Sequence, residues 1–416
     1  MLLLVPWPAA APCREETMFH GRLHTRSLLA ALVVAVAACE EPAAPSPADE
    51  PVFAAGDAVG LPLPLSTGEE RLLFAQGKVV FQTVFTPATG LGPLFNQTSC
   101  AGCHEDPVVG GVGDELEVHA TAYQGGVCND LSTEGGPVIQ DSVTPALHAA
   151  LGIDRAPMPP DTTATARRTT PAVFGLGLLD AVPESAILAL ADPDDANGDG
   201  ISGRPNRSAD GRLGRFGRKA FVPTLREFTA AAFRNEMGIT NPALPGEETV
   251  GGNPMPPGVD PTTDPEITQD ALDATEAFMR LLAPPRTQLL SLAQVRGRQL
   301  FSSIGCVACH VPALQTGSNP VKALSKKVVP AYTDLLLHDM GSDLADICLG
   351  LAEPSEFRTE PLMGVRFKSV YLHDGRAPTI EAAIELHGGE ATAARDRFVQ
   401  LSSQQRAALA RFLKGL

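Results

Sequence analysis

Twice along the 416 residues a cysteine is followed three positions later by a second cysteine and then at once by a histidine: Cys100, Cys103, His104 and Cys306, Cys309, His310. At this spacing two thiols reach the two vinyl groups of one haem, and the adjacent imidazole supplies an axial nitrogen to its iron. A thioredoxin-like redox pair does not need that histidine, and a zinc site needs a second pair of ligands close by, which neither stretch offers. Two covalently attached haem c groups are expected, with His104 and His310 as iron ligands.

Each motif is preceded by helical periodicity. From Gly68 to Phe85 the residues Leu72, Leu73, Ala75, Val79, Val80 and Phe81 crowd one broad face, and from Ser291 to Phe301 the residues Leu292, Val295 and Leu300 do the same. A helix behind a loop that ends in the attachment motif begins a cytochrome c-like unit. The fold expected is therefore mainly α, with two cytochrome c-like haem domains. The motifs start 206 residues apart, so the first domain carries a large loop-rich insertion that includes 169–183 and 192–206. Further helices are expected over Ile267 to Leu282, Thr379 to Leu386 and Ser402 to Leu416, the last with a capping box between Ser402 and Gln405. Pro284 and Pro285 end the first of these, because proline cannot continue a helix. The domains expected are 61–284 and 285–416.

Residues 1–39 have the order of an export leader: Arg22, His24 and Arg26, then the apolar run Ser27 to Ala38, too short to span a membrane. That run ends in Val36, Ala37, Ala38 and Cys39, the pattern of a lipobox in which Cys39 is acylated, and residues before Met18 fit no signal pattern, which makes Met18 a candidate start. The Pro- and Ala-rich 40–60 reads as a tether. A periplasmic protein, lipid-anchored to the outer membrane, is the expectation. A formal net charge of -16 argues against a nucleic-acid partner. Cys128 and Cys348 are left over once leader and haem cysteines are assigned; in an oxidising compartment they are free to pair, but spacing cannot show that they meet.

With both proximal ligands assigned, function turns on the sixth position of each iron: a strong ligand makes an electron carrier, an open or displaceable one admits peroxide or oxygen. For the second iron His387 is expected, with Met340, His338 and His373 as alternatives and His373 better placed as a supporting group oriented by Asp374. Met279 borders an apolar helix face and reads as core. Asp195, Asn197 and Asp199 place oxygens at alternate positions beside Gly198 and Gly200, the first half of a calcium loop, although Asn206 stands where the closing Glu belongs.

Taken together, the motifs resemble the bacterial di-haem oxidoreductases, a family described as peroxidases or thiol oxidoreductases. The resemblance runs from about Gly77 to the C-terminus. It rests on both attachment motifs, on Arg168 to Pro171 with Gly175 to Asp180, on Ala191 to Asn206, on Leu282 to Pro285, on Tyr332 to Gly341 and on Leu372 to Arg376. A more distant likeness is to di-haem cytochrome c peroxidases, and it implies a peroxide site at the N-terminal haem with electrons relayed by the C-terminal haem. It also implies that His119 is a displaceable distal ligand and that His387 falls where the second haem takes its distal residue. Their inter-haem tryptophan is missing here; Phe174, Tyr332 and Tyr371 are candidate substitutes. The implied activity is reduction of hydrogen peroxide or another small oxidant, with His119, Glu115 and Arg168 (beside Arg167) as catalytic candidates and a small cytochrome or cupredoxin as electron donor. The rival readings are a pure electron-transfer cytochrome with two six-coordinate haems and an oxidase of a protein or thiol substrate.

Overall fold

The computed structural model describes residues 53, 58–288 and 290–416. The leader, Cys39 and most of the tether lie outside the described residues. Contacts divide the chain into Met1–Ser46 and Pro47–Leu416, and only the second unit is described below.

Helix α1, Gly68–Gln82, starts at a capping box in which the Glu70 amide donates to Thr67 Oγ1 and the Thr67 amide donates to Glu70 Oε2; two of its four orphan amides are thereby satisfied. The insertion adds an antiparallel sheet that helical periodicity did not show: β1 Leu116–Gln124 pairs with β2 Val127–Asn129, β3 Val138–Ile139 and β4 Ala164–Thr169. Helix α2, Leu225–Met237, follows, and α3, Gln269–Leu281, lies at the expected place. Met279, on α3, is core and accepts from Thr229 Oγ1. In the second half α4, Leu292–Ser303, leads to the second motif, β5 Leu337–Asp339 pairs with β6 Glu356–Arg358, and α5, Ser403–Leu413, carries the expected Ser402–Gln405 box. The short helix Ile380–Glu385 also matches expectation. Among the described residues no helix is long and apolar enough to cross a membrane.

The two halves repeat one packing device. On α1 a Cβ at Gly77 would lie 1.8 Å from the Ala274 carbonyl oxygen of α3, and on α4 a Cβ at Gly297 would lie 2.2 Å from the Ala408 carbonyl oxygen of α5. One turn later each helix buries a phenylalanine: Phe81 against Phe278 at 5.0 Å, and Phe301 against Phe412 at 5.6 Å between ring centres. Only glycine permits so close a crossing, and the aromatic pair then fills the space beside it. Each of these phenylalanines also packs on the attachment histidine that follows, Phe81 on His104 at 5.8 Å and Phe301 on His310 at 6.2 Å.

The largest core cluster is continuous across Pro284–Pro285, joining Leu63, Phe81, Phe278 and Leu282 to Leu314, Val329 and Leu336. Cys128 on β2 and Cys348 form a disulfide with Cα atoms 5.8 Å apart, which ties the sheet of the first half to a segment of the second. Their pairing answers what spacing had left open.

Candidate haem sites

Cys100 and Cys103 occupy one short helical turn capped by Ser99, and Cys306 opens a matching 3-10 turn. All four thiols are half-buried and unoxidised. Burial pushes Cys100, Cys103 and Cys306 up to about 12.

The attachment histidines are set alike. A carbonyl can only accept, so the 3.3 Å contact of His104 Nδ1 with Gly111 O and the 2.9 Å contact of His310 Nδ1 with Tyr332 O make Nδ1 the donor in both rings. Nε2 is then left unprotonated. Burial lowers the pKa of His104 and brings that of His310 to about 4, so both rings are neutral at pH 7. A neutral imidazole anchored through Nδ1, with Nε2 as its lone-pair nitrogen, is the donor that iron requires. The residues present fit a covalently held haem at each motif.

At the second site His387 repeats that arrangement: Nδ1 donates to Ala383 O at 2.7 Å, and burial lowers its pKa. Its charge state is felt at His310, which places the two rings near one another. The rivals are disposed otherwise. His338 has both nitrogens taken, Nε2 by Asp334 and Nδ1 by Glu390, each at 2.8 Å, and has no lone pair to give. His373 stacks on Phe357 at 4.4 Å, with Nε2 3.4 Å from Asp346 and 3.9 Å from Asp374. Its carbonyl accepts the Thr169 amide of β4, so His373 is seated against the sheet of the first half, with Asp346 and not Asp374 as its nearer carboxylate. Met340, the residue after β5, is half-buried, its amide donating to Ser355 O. The glycines after His387 serve the backbone: a Cβ at Gly389 would lie 2.1 Å from Asp339 O.

The first site is built on the sheet. His119 faces Ala166 and Val138 in register. Its Nε2 is 2.9 Å from Glu117 Oε1, an ion-pair distance without hydrogen-bond geometry, and both ring nitrogens are buried without a hydrogen-bond partner. Glu117, two residues earlier and so on the same face of the strand, was not foreseen; nor was Glu236 of α2. The carboxyl of Glu236 hydrogen-bonds Glu117 and accepts Asn96 Nδ2 at 2.8 Å. Burial and the charge of Glu117 hold Glu236 well above the usual carboxylate range. Burial also opposes ionisation of Glu117, but His119 2.9 Å away outweighs it, with Glu236 and Arg168 acting the same way, and brings it to about 2. The pair thus keeps one proton, on Glu236. Glu117 acts electrostatically on both His104 and Cys103, so the pair lies beside the first motif.

Arg168 stands opposite Glu117 on β4 but is ion-paired with Asp346, which also takes Lys219 Nζ at 3.1 Å. Its ion pair is therefore made with the second half, while its charge also helps to lower Glu117. Arg167 is exposed and lines a cleft of about 310 Å³ together with Leu116, Asp346, His373 and Arg376. Glu115 lies close enough to raise the Cys103 thiol, and burial raises its own pKa.

In the expected calcium loop the side-chain oxygens accept from the loop's own backbone: Asp195 from Gly200, Asn197 from Asp199 and Asp199 from Ile201. Asn206 is buried and clamps the carbonyls of Lys219 and Leu349. Among the described residues the carboxylate oxygens that converge within 4.8 Å belong to two other groups, Glu247, Asp260, Asp264 and Glu266, and Glu105, Asp114 and Glu115. Of the candidate aromatic bridges, Tyr332 packs between Phe301 and Phe412, and Phe174 meets Phe367 at 6.3 Å.

A family model described as "Di-haem oxidoreductase, putative peroxidase" matches residues 158–416. No curated protein matches the chain. Among solved structures it is similar to a diheme peroxidase, BthA, from Burkholderia thailandensis (18% identity, 83% of this chain and 86% of that one, TM-score 0.40). It is also similar to a MauG-like protein associated with microbial copper homeostasis (17%, 88% and 92%, 0.39) and to the hydrazine synthase of Kuenenia stuttgartiensis (15%, 90% and 100%, 0.38).

Proposed function

The chain belongs to the di-haem oxidoreductase family, and on that premise we propose that it reduces hydrogen peroxide at the first site with electrons delivered through the second. The observation that carries this reading is the unequal anchoring of the two candidate sixth ligands. His387 is tied by a 2.7 Å hydrogen bond to its own helix, whereas His119 has no hydrogen-bond partner and is held by Glu117 alone, 2.9 Å away, which keeps its contact with Glu236 when His119 moves. Haem bound at both motifs would supply irons that exchange single electrons and, where a sixth position opens, bind and reduce peroxide.

The reaction takes two electrons and two protons per peroxide and yields two waters. Glu236 holds one such proton, and Glu117 accepts a hydrogen bond from it and passes charge to His119, so the pair is a relay beside the opened position. A small cytochrome or cupredoxin is the electron donor in this reading. Acylation at Cys39 would hold the protein at the periplasmic face of the outer membrane; Cys39→Ala should then release it to the soluble fraction, and unchanged membrane retention with normal leader cleavage would refute the anchor.

The test is peroxide consumption by the reduced holoprotein as a function of pH. Because Glu236 is useful only while protonated, the rate should fall as pH rises through its raised pKa. Glu236→Gln should cost roughly 100-fold or more, the usual contribution of a positioned acid, and abolish that limb. A wild-type rate no greater than that of free haem would return the chain to the electron-transfer reading.

A further inference from the structure

One buried group touches the second attachment site without belonging to it. His338, on β5 and 2% exposed, donates from Nε2 to Asp334 Oδ2 and from Nδ1 to Glu390 Oε2. An ionised carboxylate only accepts, and a neutral imidazole has one N–H, so a ring shared by two carboxylates is an imidazolium. Burial opposes that charge, but the hydrogen bonds of Asp334 and Glu390 raise the pKa against it. Both carboxylates are held from elsewhere. Asp334 Oδ1 accepts the Leu336 amide at 2.9 Å. Glu390 accepts the amide and hydroxyl of Ser202 at 3.0 and 2.7 Å and the Asp339 amide at 3.2 Å.

The same Nδ1 lies 3.5 Å from Cys309 Sγ. That sulfur is a thiol here and stands for the thioether sulfur joined to the haem edge. Glu390 is also three residues past His387. The triad would therefore adjoin a haem held at the second motif through Cys309, and through Glu390 it joins the segment that carries the candidate sixth ligand.

We propose that His338, fixed between Asp334 and Glu390 against Cys309 Sγ, is a positioning residue that sets the reduction potential of the second haem. This deepens the reading of Cys306, Cys309 and His310 as a haem site and rests on it. A ferric haem carries one more positive charge than a ferrous one, so a buried cation at its edge favours the reduced form, and bulk salt screens it little. Loss of the cation should make the haem harder to reduce. Loss of either carboxylate should do the opposite.

The experiment is spectroelectrochemical titration of the full-length holoprotein and of His338→Gln, Asp334→Asn and Glu390→Gln, after mass measurement has shown two covalent haems in each. His338→Gln should change the reduction equilibrium of the second haem about tenfold toward the oxidised form, which is about 59 mV for one electron. Asp334→Asn and Glu390→Gln should move it toward the reduced form, and the first haem should not move in any of the three. Shifts of one sign across all three variants, or shifts well under tenfold with both haems in place, overturn the proposal. If His338→Gln does not fold, the carboxylate variants decide: a shift toward the reduced form supports the role, and a null or opposite shift rejects it. Wild-type protein with a single haem would instead refute the underlying haem reading.

Discussion

An imidazole can serve iron only if it is neutral and has a nitrogen to spare, and these two conditions separate histidines that sequence position alone leaves equivalent. His387 meets both, with Nδ1 committed to Ala383 O and its pKa lowered by burial. His338 meets neither. His387→Ala is therefore expected to turn the low-spin EPR signal of the second haem high-spin in the oxidised protein, while His338→Gln and His373→Ala keep it low-spin. Should His387→Ala leave the signal intact and Met340→Ala remove it, the ligand is Met340. The residue that sequence came closest to exposing at the first site is Glu117, because a period of two puts it beside His119 on any strand. Glu236 gave no such signal: it lies on a helix more than a hundred residues away and reaches the site through Glu117 and Asn96.

Among the elements, the paired helices were legible and the sheet was not. Capping at Ser402, apolar periodicity and the double proline were enough to place α1, α3, α4 and α5 within a few residues. The sheet was harder to see: β1 alternates Leu116, Val118, Ala120 and Ala122 with polar residues as a strand should, but its partners Val127–Asn129 and Val138–Ile139 are too short to show a period, and Arg168 interrupts the alternation of β4. The crossings at Gly77 and Gly297 are readable only in retrospect, each as glycine four residues before phenylalanine on the helix ahead of a haem motif. Gly297→Ala forces a methyl against the Ala408 carbonyl and should cost about 1–3 kcal/mol, the range for overpacking. The measurement is the midpoint of denaturant unfolding at equal haem content; no change would mean that α4 and α5 can part without loss.

At the scale of the whole molecule, the two haem units are not independent modules, since one core passes through both sides of Pro284–Pro285 and Asp346 of the second half neutralises Arg168 of the first. The Cys128–Cys348 disulfide sits next to that ion pair in the chain, two residues from Asp346, and joins positions 220 residues apart. Sequence could not reveal it, because a long separation says nothing about approach. Its physical effect is to restrict the unfolded chain, and removing a native disulfide commonly costs about 2–5 kcal/mol. Cys128→Ser with Cys348→Ser should lower thermal stability accordingly, and reductant should lower that of the wild type to match. Cys348 is fully buried and within 3.6 Å of Thr121 on β1, so loosening begins at the first-site sheet and at the Asp346 segment laid over it. The double variant should therefore broaden the first haem's EPR signal while the second haem, whose candidate ligands His310 and His387 hang from Tyr332 and Ala383, keeps its low-spin signature. Equal perturbation of both haems would mean that the disulfide braces the whole core and not this one contact.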